Sequence, residues 1–244
     1  MFKPADLLKV EELLSRADEV VAMREIAGGE TDPLVVGMRH DVDNHLGAVL
    51  SMAEWEADHG WRSTYFILHD SPYWDEPSLP YVLDELAGFG HEIGIHVNAI
   101  AEALTTGRDP AAILEDALDR LWGWGHTVTG CVAHGDERCY HLKQLRFVND
   151  EMFVECPRPQ MGAPDRTIRT PMGNLKLDPK PLSYFGLKYD SNHLPRYTYL
   201  SESGDQWHKW DEITGQFPSP FGQLHILMHP CWWTQAFSRE EAAA

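Results

Sequence analysis

Five places in this chain carry residues able to do metal or acid–base chemistry: Asp41-Val42-Asp43, His96, His134, Asp190 and His229. Each sits at or next to the end of a short apolar run: LVVGMRHDVD (34–43), HEIGIHV (91–97), TVTGCVAH (127–134), LKYDS (187–191) and QLHILMH (223–229). Singly they mean little, since an Asp after a strand commonly caps the next helix and a lone His is commonly structural. Gathered on one rim, such groups are costly to bury unless a cation or mutual hydrogen bonds compensate. Alternation along an extended strand puts Asp41 and Asp43 on one side. Two converging carboxylates share a proton or bind a cation. With imidazoles nearby a divalent metal such as zinc fits, because neutral His and carboxylate are its ordinary catalytic ligands. One Asp would then be a ligand, and the other a base toward a water acidified by the metal.

The elements that must position these residues alternate. An amphipathic helix opens behind Pro4, with Leu7, Val10, Leu14, Ala17 and Val21 at helical spacing, and Gly28-Gly29 ends it. Strands are predicted over 34–43, 63–68, 91–97 and 127–134, and helices over 46–60, 77–90 and 109–125, the last with Asp109 as N-cap and Pro110 behind it. Strand–helix alternation predicts a parallel sheet with helices outside it. Ligand chemistry then gathers at the C-terminal strand ends. Beyond 134 the signal thins to a helix over 138–149, a Pro-rich basic loop over 157–181, and strands over 187–191 and 223–229.

Composition removes other classes. Twenty Lys+Arg against thirty-eight Asp+Glu leave a net charge of −18, which disfavours nucleic acid and other polyanions. No apolar run approaches the ~18 residues of a membrane span. Charges at Asp6, Glu11 and Glu12 do not suit a secretory signal, so a cytoplasmic location is expected. Cys131, Cys139, Cys156 and Cys231 form no CxxC pair and read as free, mostly buried thiols. One domain is expected: a helical segment over 1–30 packed on a body over 31–237, followed by a disordered tail over 238–244.

RHDVD (39–43), STYFIL (63–68), GHEIGIH (90–96), YDS (189–191) and LHILMHP (224–230) together resemble the polysaccharide deacetylase superfamily, carbohydrate esterase family 4, across residues 34–233. The HDVD start and the HPCWW ending at 229–233 are similar to a looser branch that accompanies surface-polysaccharide synthesis. The resemblance implies a distorted (β/α)7-type barrel and metal-dependent removal of an N- or O-linked acetyl group from a sugar. By position it implies Asp41 as base, Asp43 and His96 as metal ligands, and His229 as general acid. The family's second metal His falls on Ile100, a departure, and His134 could supply the missing ligand.

Tyr73 and Trp74, with Trp232, are candidate sugar-stacking rings, although Trp232-Trp233 could equally plug the core. Asp190 is read as a substrate contact, and His91 as structural. Arg158, Arg166, Arg169 and Lys176 could meet an anionic substrate or simply be solvated. Alternatives to the deacetylase are a C–N hydrolase acting on a small amide, and a carbohydrate-binding pseudoenzyme on the same barrel.

Overall fold

The computed structural model describes residues 1–29, 34–140, 148–156, 167–170, 173–194, 198–217 and 223–238. In chain order the elements are α1 (Pro4–Leu14), β1 (Glu19–Ala22), α2 (Met23–Gly28), β2 (Val35–Val42), α3 (Val49–Asp58), β3 (Thr64–Leu68), α4 (Leu79–Gly88), β4 (Glu92–Val97) and α5 (Ala99–Thr106). There follow α6 (Pro110–Gly123), β5 (Gly130–Ala133), α7 (Glu137–Tyr140), β6 (Thr167–Thr170), β7 (Gly173–Lys176), β8 (Tyr189–Asp190), β9 (Thr198–Ser203), β10 (Gln206–His208), α8 (Trp210–Thr214) and β11 (Gln223–Met228). The architecture is α/β, with a mostly parallel, curled sheet forming a half-barrel. Its strand order is β10-β9-β11-β2-β3-β4-β5-β8, with β1 also on β2. Only β9–β10 and the separate β6–β7 ribbon pair antiparallel among the described residues. Among those residues, no helix is long and apolar enough to cross a membrane.

Two compact units divide the chain. The first holds residues 1–67, 71–93 and 194–244. Its core joins Leu13 and Leu14 of α1 to Val36 and Met38 of β2, Ile226 of β11 and Trp233. The ring of Trp233 stacks on Phe2 with centroids 4.2 Å apart. The opening helix stops at Leu14 rather than running to Gly28-Gly29. Val20 and Val21 instead pair with Val36 and Gly37 beside the lower half of β2, while β3 takes the upper half. Helical spacing was present in the sequence, but an unfilled strand edge suits two β-branched residues better. Gly37 is needed here, since a Cβ would lie 2.9 Å from Ile26 of α2.

The second unit holds residues 68–70 and 94–193. Asp109 does cap α6, accepting from the Ala111 N–H at 3.1 Å. Gly130 lies against Tyr189, whose ring would be 2.2 Å from an added Cβ. The predicted 138–149 helix is reduced to α7, and Val148–Met152 forms a 3-10 turn, with 141–147 outside the described residues. Arg158, Arg166 and the tail over 239–244 also lie outside them, as does the side chain of Arg169. The short helix α5 went unpredicted.

Candidate functional site

In the first unit, β2 carries Arg39 and Asp41 on one face and His40 on the other. Arg39 donates Nε to Asp41 Oδ1 and Nη2 to Asp41 Oδ2, both at 2.7 Å, with both residues about 3% exposed. This fork is the strong form of a carboxylate contact, and it fixes the Asp41 carboxylate in orientation. Asp43, one step further along, faces His229, whose Nε2 lies 3.7 Å from Asp43 Oδ2. The other side of His229 is held by Glu202 of β9, which accepts the His229 backbone N–H and stands 3.3 Å from Nδ1. Burial alone would lower the His229 pKa; the Glu202 hydrogen bond and the charges of Asp41 and Asp43 outweigh it and push it up to about 9. His225, on the same strand, goes the other way. Its complete burial and the nearby Arg39 hold it well below the usual imidazole value. The Cys231 thiol is pushed up to about 12 by burial and then by Asp43, which leaves no thiolate nucleophile.

In the second unit, His96 donates Nδ1–H to the Val132 carbonyl at 3.0 Å. That bond fixes the tautomer, with the proton on Nδ1 and Nε2 as the basic nitrogen. The His134 ring stands beside it, at 84° with centroids 4.9 Å apart. Ile100 is fully buried. Its N–H and that of Ala101 are capped by Asn149 Oδ1, at 2.9 and 3.3 Å, while Asn149 Nδ2 donates to the His134 carbonyl at 3.0 Å. One buried amide thus packs the start of α5, where the family resemblance puts a histidine, and steadies the chain at His134.

Within the second unit, His96 and His134 stand together as two imidazoles of the kind that hold a divalent metal, while Asp43 lies in the first unit beside His229. Also in the second unit, Asp150, Asp190 and His193 offer ligand atoms that all lie within 4.8 Å of one another, a donor set that can hold a divalent metal.

No protein-family model, curated protein or solved structure matches this chain.

Two of the expected substrate contacts are buried. Tyr73 is fully buried, and its hydroxyl donates to the Val42 carbonyl, so its ring offers no face to a sugar. Asp190 is 6% exposed, accepts from the Asn192 N–H at 2.8 Å and joins the second carboxylate–imidazole group. Trp74 and Trp232 are half-buried, and Trp232 packs on the core of the first unit.

Sequence reasoning missed three features. Glu202 was missed, although a Glu two places after Leu200 on the buried face of an alternating strand was a signal. Behind the sheet, Glu56 of α3 is fully buried and accepts from His40 Nε2 at 2.5 Å, Ser63 Oγ at 2.6 Å and Tyr65 OH at 3.0 Å. His91 completes this network by donating Nε2–H to the Ala53 carbonyl at 3.0 Å and accepting from the Ser63 N–H at 3.2 Å, a structural role as expected. Burial holds it below the usual imidazole value despite the Glu56 charge.

The third feature links Asp70, Asn98, Asp136 and Arg138 in the second unit. Asn98 Nδ2 donates to Asp70 and Asp136, and Arg138 Nη2 bridges the same two carboxylates at 2.6 Å each. Burial opposes ionisation of Asp136, but Arg138 and Asn98 prevail and lower its pKa to about 2. The stability this contributes is complete above the unfolded carboxyl value and is lost as pH falls through about 2. Asp136→Asn should cost about 1–2 kcal/mol at neutral pH, toward the low end for charged hydrogen bonds because the site is partly solvated. Urea unfolding should show that loss shrinking below pH 3 to 4; a variant with an unchanged midpoint at pH 7 would contradict it.

Proposed function

We propose that this protein is a metal-dependent hydrolase that removes an acetyl group, N- or O-linked, from a carbohydrate, working in the cytoplasm on a (β/α) barrel of the deacetylase type. The observation that carries this reading is the pair of adjacent imidazoles His96 and His134, with the His96 tautomer set by the Val132 carbonyl; in this reading Asp43 completes the ligand set. The donor set suits zinc(II). When bound there, a divalent cation would acidify a water and polarise the acyl carbonyl. Asp41, oriented by the Arg39 fork, takes the proton from the attacking water. His229, oriented by Glu202 and charged near neutral pH, gives a proton to the departing amine or alcohol. Half-buried Trp74 and Trp232 are the remaining candidates for stacking on a sugar ring.

The test is acetate release from N-acetylated and O-acetylated oligosaccharides, with zinc restored after chelation. Release that depends on zinc supports the proposal. Sugar binding without any release would favour the carbohydrate-binding reading instead. Within the proposal, His229→Ala should lower turnover by ~10²-fold or more, the scale of lost acid catalysis, with metal affinity barely changed. Glu202→Gln should act through His229, shifting the basic limb of the kcat profile to lower pH. A His229→Ala protein that is destabilised yet fully active per folded molecule would remove His229 from the mechanism.

A further inference from the structure

We propose that Asp150, Asp190 and His193 form a second divalent-cation site, of the zinc class, which ties the 148–152 turn to the end of β8. All three residues belong to the second unit, and the inference stands apart from the hydrolase reading. His193 Nε2 lies 3.5 Å from Asp150 Oδ2 and 3.6 Å from Asp190 Oδ2. Donor atoms of a four-coordinate zinc, each ~2.0–2.2 Å from the metal, stand about 3.3–3.6 Å apart. Both His193–carboxylate distances therefore have the length of a tetrahedral edge and are longer than a good hydrogen bond, and the third pair of ligand atoms lies within 4.8 Å.

An independent sign comes from the orphaned atoms. Asp150 is more than nine-tenths buried and its Oδ1 has no hydrogen-bond partner, while the Nε2 of His193 meets Asp150 and Asp190 only at 3.5–3.6 Å and Cys156 lies beside the ring. Leaving such groups unmatched is costly, and a cation would match them together. Asp190 is already aligned, because its Oδ1 accepts from the Asn192 N–H and its Oδ2 turns to the imidazole. The consequence reaches the chain at His134. Asn149, which grips the His134 carbonyl and caps α5, directly precedes Asp150. A cation on Asp150 would hold that turn in place. The rival occupant is a proton on His193, bridging the two carboxylates with no metal.

The test uses the full chain stripped of metal and titrated with zinc chloride, reading zinc per chain and Tm. His96→Ala disables the first group, so in that variant one zinc should still bind and raise Tm by roughly 5–10 °C at a hundredfold excess over Kd. Adding Asp190→Asn to it should abolish both the binding and the rise. Should that double variant fail to fold, His193→Gln in the same His96→Ala chain replaces it, with the tetrahedral cobalt(II) absorption as the readout, expected only while His193 is present. A His96→Ala chain that binds no zinc, or zinc binding unaffected by Asp190→Asn or His193→Gln, overturns the site and leaves the protonated bridge.

Discussion

Within the proposed hydrolase mechanism, Asp41→Asn should lower turnover by about 10²–10⁴-fold, the range for losing a positioned proton acceptor, while leaving the content of the proposed metal unchanged. The amide keeps the shape of the side chain but cannot take a proton. The same change should lower stability, because the Arg39 guanidinium is about 3% exposed and forks onto both Asp41 oxygens. Breaking a buried ion pair from one side costs about 3–5 kcal/mol; here the retained amide oxygen still accepts one bond, which favours the lower end. Turnover is therefore to be expressed per folded molecule, with the folded fraction read from near-UV circular dichroism. Asp43→Asn is the counterpart and should lose zinc first and activity with it. Zinc loss from Asp41→Asn, with retention in Asp43→Asn, would exchange the two roles.

Glu56→Ala should be among the most destabilising single changes in the chain, at about 3–5 kcal/mol. The carboxylate accepts from His40, Ser63 and Tyr65, all fully buried, and the truncation leaves these donors without their acceptor. Burial raises the Glu56 pKa, but the charge and hydrogen bond of His40 outweigh it and leave the carboxyl lowered. A lowered folded pKa means that this stability is complete above the unfolded carboxyl value and is lost as pH falls through the folded one. Urea midpoints measured from pH 7 downward should therefore show wild type and Glu56→Ala converging in acid. A cost under about 1 kcal/mol at pH 7 would mean that the network is dispensable. Because His40 points away from Asp41 on β2, zinc affinity of the folded variant should stay at the wild-type level.

Much of this protein was legible along the chain. Apolar runs, Gly stops and the Asp109–Pro110 start are local signals, so the strand–helix alternation from 34 to 134 and the helix α6 follow from neighbouring residues alone. So does the placing of Asp43, His96 and His134 at strand ends, because a parallel sheet delivers its C-terminal ends to one rim. Arg39 was legible in the same way, two places before Asp41 on the same face, had the alternation been carried back one step. What the chain could not declare is which distant groups meet. Glu202 lies 27 positions from His229, and Asn149 lies 49 from Ile100. No periodicity links such positions; they meet because β9 pairs with β11 and because the 148–152 turn packs on α5. The same holds for the end of α1, where helical spacing favoured one continuous helix and the open lower edge of β2 took Val20 and Val21 instead. It holds for Tyr73, an amphipathic ring suited to a surface until the Val42 carbonyl is brought to its hydroxyl. Residue type and spacing determined which side chains could do chemistry and on which face of a strand they stand. Tertiary structure decided their partners, because burial and hydrogen-bond completion are satisfied in space rather than along the sequence.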